Sequence, residues 1–207
     1  ALPAIDCQNS ANQVLVLFGD VPMISSSTLE ALLTEAGSDA LGLLTVELDQ
    51  PEGFGRIIRD EQGSVQAIVE HKDATAEQRL ICEVNTGIMS IPAARLPGWL
   101  ERIQNNNQQQ EYYLTDIVSL AVEDSCPVRA IKAESEFEAL GVNNKAQLAT
   151  LERYYQAMQT NELLEAGVTL SDPMRVDIRG NLRCGKDVEI DCNVIFEGTV
   201  ELGDDVS

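Results

Sequence analysis

Asp20 stands at the end of an apolar segment, VLVLFGDVP, whose first residues read as a strand buried on both faces. In an open parallel sheet, ligands gather beyond the carboxyl ends of the strands, and an aspartate placed there can hold Mg²⁺ against a phosphate. The alternative is a turn in which the carboxylate accepts hydrogen bonds from nearby backbone amides. The segment by itself leaves both interpretations open.

Asn143, in the segment GVNN, is the second candidate metal ligand. Its amide oxygen suits a hard cation whose other ligands are carboxylate and water oxygens. The alternative is that Asn143 is the N-cap of the helix that follows, because asparagine is among the residues preferred there. A magnesium site made from Asp20 and Asn143 requires the fold to bring two distant segments together.

Three further segments place polar groups or glycine beside apolar strands. Gly55, in PEGFGRI, either lets the backbone approach a bound ring or sugar or forms a tight turn. Asn85, in VNTGI, lies inside an apolar strand, where an unpaired amide costs about 1–3 kcal/mol, so its partner is a backbone group or a ligand hydroxyl. Glu70 opens the charged segment EHKDA, in which His71, the only histidine, reads as a solvated loop residue.

The elements that must position these residues indicate an α/β protein. The apolar strand before Asp20 is followed by a helix, in which Ser27 and Glu30 read as a capping box, and then by a second apolar strand, ALGLLTVEL. Strand, helix and strand in succession predict a parallel βαβ unit in a sheet covered on both faces.

The middle of the chain predicts smaller elements. RIIRD and SVQAIVE flank a turn and read as a hairpin, VNTGIMSI as a further strand, and PVRAIKA as another. Pro97 and Gly98 are expected to break the helix that begins after Pro92. The stretch NNNQQQE reads as a surface loop, and Thr115, in EYYLTD, as a helix cap.

From residue 144 the sequence changes to one long predicted helix and then to hexads: VDIRGN, LRCGKD, VEIDCN, VIFEGT and VELGDD. An aliphatic residue begins each hexad, and this period is typical of parallel β-helices in which three hexads close one coil. We therefore predict three parts, at 1–143, 144–167 and 168–207. Because the pattern stops in mid-repeat, the chain is expected to be a fragment.

Composition narrows the classes of function. The formal net charge is −20, which opposes binding to nucleic acid and to anionic membranes. No run of about 18 apolar residues and no basic-then-apolar leader is present, so a cytoplasmic protein is expected. The five cysteines are scattered without a C-x-x-C pair and read as reduced thiols.

The succession FGDVP, PEGFGRI, VEHKDA, VNTGI, EYYLTD and GVNN, followed by a long helix and hexads, resembles the bacterial bifunctional N-acetylglucosamine-1-phosphate uridyltransferase / glucosamine-1-phosphate acetyltransferase family. The resemblance spans nearly the whole chain. It implies an incomplete Rossmann-like nucleotidyltransferase domain, a linking helix and the start of a left-handed parallel β-helix that assembles as a homotrimer.

The same resemblance implies roles for individual residues and for ligands. The uridyltransferase half of a family member joins UTP and N-acetylglucosamine 1-phosphate to give UDP-N-acetylglucosamine and pyrophosphate. The other half uses acetyl-CoA to acetylate glucosamine 1-phosphate. The match to the family's motifs implies that Asp20 and Asn143 are the Mg²⁺ ligands. The positions that match substrate contacts are Gly55, Glu70, Asn85, Asn143 and Thr115, the last near the sugar phosphate.

The family's glycine-rich phosphate loop, with its Arg and Lys, does not match any segment of this sequence, and neither do its later coils. The catalytic residues of both activities are therefore expected outside this chain, and the chain alone is expected to be inactive. Two other functions stay open: a sugar-phosphate nucleotidyltransferase with a single activity, and a non-catalytic oligomerisation module built on the hexads.

Overall fold

A computed structural model describes residues 4–207 of the chain. It divides into two compact units, Ala1–Gly141 and Val142–Ser207, each with apolar core residues of its own. Within residues 4–207, no helix is both long and apolar enough to span a membrane. All five cysteines are free thiols. The three-part division at 1–143, 144–167 and 168–207 stays a prediction.

The first unit is one mixed sheet with helices between its strands. Its strands and helices, in chain order, are β1 (Gln13–Val16), α1 (Ser26–Ala36), β2 (Leu41–Glu47), β3 (Arg56–Arg59), β4 (Val65–Val69), β5 (Glu83–Pro92), α2 (Leu96–Arg102), α3 (Ile117–Glu123) and β6 (Val128–Lys132). These elements confirm the predicted α/β class and the predicted hairpin of β3 and β4, which pair antiparallel.

Strand β5 is the centre of the sheet. Residues 83–90 pair antiparallel with β2 on one edge, while β1 and β3 pair with different parts of the other edge. Strands β1 and β2 are both antiparallel to β5, so they run parallel to each other as the predicted βαβ unit requires, but β5 lies between them in the sheet. The parallel pair that includes β2 is formed with β6, which returns from the end of α3.

Both faces of the sheet are covered at β2, as predicted, whereas β1, which was also expected to be buried on both faces, is half-buried along its length. Along β5, Val84 and Ile88 face a cluster that includes Leu32 of α1, while Met89 packs in a second cluster with Trp99 of α2. This alternation follows from the two-residue period of a strand. The sheet is thus rigid, and its strand ends are fixed points for side chains.

Two local predictions about helices are wrong. Ser25, not Ser27, is the N-cap of α1, and its hydroxyl accepts a hydrogen bond of 3.0 Å from the backbone N–H of Thr28. Pro97 does not break α2 but lies in its first turn, where the missing proline N–H leaves no intrahelical bond unmade.

The second unit begins with helix α4 (Lys145–Glu165) and continues through the short strands β7 (Thr169–Leu170), β8 (Val176–Cys184), β9 (Glu189–Ile190) and β10 (Val194–Leu202). Strands β8 and β10 pair in parallel, with each residue beside the one three hexads later, such as Val176 beside Val194. This register is the one that a coil of three hexads requires. The left-handed sense of the coil stays a prediction.

Candidate functional site

The register of β3 places three of the predicted substrate residues in one row. Arg56, the first residue of β3, pairs with the last residue of β4 and with Val84 of β5. The next row, just beyond Arg56, therefore consists of Gly55, Glu70 and Asn85. The backbone N–H of Asn85 donates to the carbonyl of Gly55 over 2.8 Å, which fixes this row at the ends of the strands.

Gly55 is required in this row for reasons of space. A Cβ added there would lie 2.8 Å from Cγ2 of Ile68 and 3.4 Å from both carboxylate oxygens of Glu70. The first distance is shorter than real Cβ contacts, so a side chain at residue 55 would displace its neighbours. These distances explain the glycine by neighbouring side chains of the protein itself, and the approach of a bound ring or sugar to Gly55 stays a prediction.

The carboxylate of Glu70 is held on one side only. The hydroxyl of Thr115 donates to Oε1 of Glu70 over 2.9 Å. Among the residues that the structure describes, Oε2 has no hydrogen-bond donor, so it can accept from a ligand hydroxyl or N–H. The prediction that Thr115 caps a helix is wrong, since its side chain caps no backbone N–H and lies in the 3₁₀ turn Leu114–Asp116.

Asn85 satisfies part of its amide within its own strand. Its Oδ1 accepts a hydrogen bond of 2.9 Å from the backbone N–H of Gly87, which is the backbone partner that the apolar surroundings required. Its Nδ2 group has no acceptor within residues 4–207. Asn85 therefore keeps two N–H donors in the same row as the Glu70 carboxylate, and donors and acceptors of this kind suit a ligand that carries several hydroxyl groups.

Phe18 connects the segment before Asp20 to this row. Gly87 has a φ of 82°, and a Cβ there would overlap the ring of Phe18, which covers the glycine and is 51% exposed. Asp20 follows two residues later in an exposed turn. Its carboxylate makes no hydrogen bond or ion pair in the described part of the chain, so the interpretation as a local turn cap is not supported.

Asn143 lies in the second unit, two residues past the boundary, whereas Asp20 lies in the first. The N-cap of α4 is Asn144, whose Oδ1 accepts from the backbone N–H groups of Ala146 and Gln147. The side-chain amide of Asn143 makes no hydrogen bond within residues 4–207. Its identification as an N-cap is therefore wrong, and its joint role with Asp20 around a metal stays a prediction.

Acidic side chains surround the end of β4. Burial, with a smaller contribution from Asp73, raises the pKa of Asp116, the residue after Thr115. The predicted surface loop is attached here, since the N–H of Gln108 donates to Asp73 over 3.0 Å. Within residues 4–207, no cluster of three His, Cys, Asp or Glu side chains could hold a metal. A phosphate bound near these carboxylates needs a cation with it, because like charges repel.

Arg56 is a residue of this site that the sequence did not predict. It is 1% exposed, its Nη1 donates to the Phe54 carbonyl, and its Nη2 lies 3.4 Å from Nδ1 of His71 and 3.5 Å from the Arg79 carbonyl. His71 lies in a turn, as predicted, but it is half-buried rather than fully solvated. No periodicity in RIIR distinguishes Arg56 from Arg59, which instead forms an ion pair of 2.7 Å with Glu83.

Curated relatives match this chain from end to end. A protein named "Bifunctional protein GlmU" from Paraburkholderia phymatum is 54% identical over 204 residues, 99% of this chain and 44% of that protein. Proteins of the same name from Dechloromonas aromatica and Nitrosospira multiformis are 57% and 55% identical over 95% and 100% of this chain, and over 43% and 44% of their own lengths. The chain belongs to the GlmU family.

The chain spans less than half the length of these GlmU proteins. No family model matches it. Among solved structures, a Bacillus anthracis protein described as a glucose-1-phosphate thymidylyltransferase, in complex with a sucrose, aligns at 13% identity with a TM-score of 0.47, over 79% of this chain and 58% of that one. That score is too low to carry an argument. The GlmU assignment rests on sequence identity along the whole chain.

Proposed function

We propose that this chain forms the sugar-binding side of a uridylyltransferase that makes UDP-N-acetylglucosamine from UTP and N-acetylglucosamine 1-phosphate. The observation that supports this proposal most directly is the row of Gly55, Glu70 and Asn85, with Thr115 bonded to Glu70. In this row one carboxylate oxygen of Glu70 and the amide N–H₂ group of Asn85 have no hydrogen-bond partner within residues 4–207. Sugar hydroxyl and N-acetyl groups have the donors and acceptors that match them.

In the proposed reaction, an oxygen of the sugar phosphate attacks the α-phosphorus of UTP, the bond from that phosphorus to the bridging oxygen breaks, and pyrophosphate leaves. Glu70 and Asn85 would hold the sugar so that its phosphate points along the line of attack. A ligand lacking the matching hydroxyl would leave Glu70 or Asn85 unpaired in the bound state. Such unpaired polar groups are the source of specificity in this arrangement.

We further propose Mg²⁺ as the cofactor, held by Asp20 and Asn143. Both side chains offer oxygen donors that make no other hydrogen bond in the described chain, and such donors suit this hard cation. When bound, Mg²⁺ neutralises phosphate charge in reactions of this kind.

For the whole protein we propose the family's second activity, acetyl transfer from acetyl-CoA to glucosamine 1-phosphate, and assembly as a homotrimer in the cytoplasm. Its product would serve the synthesis of peptidoglycan and lipopolysaccharide precursors. The coil register of β8 and β10 supports the β-helical part of this proposal. Inactivity of the 207 residues alone stays a prediction, which an assay of this chain with added Mg²⁺ would contradict by giving normal turnover.

The proposal is tested with Glu70→Gln in the full-length gene product, by following pyrophosphate release. Hydrogen bonds to charged groups contribute about 1.5–3 kcal/mol, so we expect KM for N-acetylglucosamine 1-phosphate to rise about tenfold or more, with KM for UTP little changed. Glu47→Gln is the matched control, because it removes an exposed carboxylate that pairs with Lys132 on the same sheet. Equal kinetic constants for the two variants would refute the role of Glu70.

Two further measurements separate the remaining alternatives. Acetyl transfer by the full-length product distinguishes a bifunctional enzyme from a nucleotidyltransferase with one activity. Asp20→Ala that left magnesium-dependent uridylyl transfer intact would remove Asp20 from the metal site. Absence of any transferase activity in the full-length product would favour an oligomerisation module.

A further inference from the structure

Arg56 is a buried cation whose described hydrogen-bond partners are all uncharged. Its exposed fraction is 1%, and within residues 4–207 no carboxylate lies at ion-pair distance from it. Its contacts are the carbonyls of Phe54 and Arg79 and Nδ1 of His71, while its Nε has no partner at all. Burying a guanidinium without a counter-charge is costly, and an apolar side chain of similar volume would serve the fold at least as well.

The contacts of Arg56 join the residues on either side of the proposed sugar site. Phe54 immediately precedes Gly55, and His71 immediately follows Glu70. A guanidinium has donors and no acceptor, so a hydrogen bond between these groups requires Nδ1 of His71 to accept, with the ring proton on Nε2. One side chain therefore fixes the backbone before Gly55 and the ring after Glu70 at once.

We propose that Arg56 is a positioning residue for the sugar site, which holds Gly55 against the carboxylate of Glu70 and thereby sets the row that ends in Asn85. This inference rests on the proposed function for the identity of the ligand. The effect of Arg56 on the row itself does not depend on the ligand. The Nε of Arg56 is buried without a hydrogen-bond partner among the described residues. Arg56 therefore contributes less to the stability of the fold than its hydrogen bonds alone would suggest.

The first test examines the row of Gly55, Glu70 and Asn85 in the absence of ligand. It compares Arg56→Met with the control Arg59→Met, which replaces the other arginine of β3. Long-range ¹H–¹⁵N spectra of the single histidine report its tautomer, and hydrogen exchange reports the bond from Asn85 N–H to Gly55. We expect Arg56→Met to mix the tautomers and to speed exchange at Asn85 about tenfold or more, with an unchanged or higher Tm. Arg59→Met should leave both signals unchanged.

The second test measures KM for N-acetylglucosamine 1-phosphate and for UTP in the full-length product. We expect Arg56→Met to raise the first about tenfold and to leave the second within about twofold, and Arg56→Lys, which keeps a charge and a donor, to restore part of the loss. Should Arg56→Met fail to fold, Arg56→Lys carries both tests, with smaller changes in the same directions.

The outcomes are distinguishable. A lower Tm with unchanged tautomer, Asn85 exchange and KM would assign Arg56 to folding alone and overturn the proposal, as would equal effects of Arg56→Met and Arg59→Met. If the full-length product without any substitution transferred no uridylyl group, the proposed function would be refuted. The tautomer and exchange measurements would then still decide whether Arg56 sets the row.

Discussion

Gly55 shows how a single residue type is dictated by its neighbours on two strands. It contributes no side chain, and a Cβ there would lie only 2.8 Å from Cγ2 of Ile68 and 3.4 Å from both carboxylate oxygens of Glu70. Its carbonyl is also the acceptor for the N–H of Asn85. The site therefore depends on the absence of atoms at residue 55 as much as on the polar atoms around it.

We predict that Gly55→Ala lowers the free energy of unfolding by about 1–3 kcal/mol, the usual cost of forcing extra volume into a packed position, and weakens sugar binding by displacing Glu70. Denaturant unfolding and the KM for sugar phosphate measure the two effects. Gly98→Ala is the control, since a Cβ there meets no atom within 4 Å and favours helix α2. Equal stability changes in the two variants would contradict this account.

Among the secondary-structure elements, the sequence correctly predicted those that depend on local sequence patterns. Strand β5, the hairpin of β3 and β4, and helix α4 follow directly from apolar spacing and turn residues. The sequence predicted the strand, helix and strand of the βαβ unit but not that β5, which comes from a segment much later in the chain, lies between β1 and β2.

The same distinction explains which parts of the candidate site could be predicted from the sequence. Asn85 could be singled out because a polar group in an apolar strand needs a partner, whereas Glu70 was identified through the motif resemblance, which gave both residues their roles. The bond from Thr115 to Glu70 could not be predicted, because it joins residues far apart in the sequence. Arg56 was missed because the letters RIIR do not show which arginine is buried.

Helix α4 closes the first coil of the second unit, and Gln156 is the residue that does so. This side chain is 3% exposed; its Oε1 accepts from the N–H of Ile178 over 2.7 Å, and its Nε2 donates to the carbonyl of the same residue over 3.0 Å. It thus imitates a neighbouring strand at the edge of β8. A terminal cap of this kind is what a short coil needs to protect its open edge.

We predict that Gln156→Leu lowers the free energy of unfolding of the second unit by about 1–3 kcal/mol, because it leaves the N–H of Ile178 buried and unpaired. The carbonyl keeps a donor, since Nε2 of Gln159 lies 3.2 Å from it. Hydrogen exchange along β8 and denaturant unfolding provide the measurements. Asn161→Leu, an exposed change on the same helix, should differ from the parent by no more than about 0.5 kcal/mol.

The net charge of the chain affects the whole molecule and cannot be assigned to any single contact. The chain carries 34 acidic and 14 basic side chains, a formal net charge of −20. The described ion pairs are mostly exposed, as between Arg183 and Glu201, and such pairs contribute little to stability. Repulsion among the remaining carboxylates therefore dominates the electrostatic part of the folding free energy at neutral pH.

We predict that NaCl raises Tm at pH 7, because salt screens the net repulsion more than it weakens the exposed ion pairs. Between about 0.02 and 0.5 M the Debye length shortens from roughly 20 Å to below 5 Å, so most of the rise should occur over this range. Scanning calorimetry at several salt concentrations measures it. The control is the same series near pH 4.2, the pI from sequence, where net repulsion vanishes and the rise should disappear. A Tm that fell with salt at pH 7 would show that the ion pairs outweigh the repulsion.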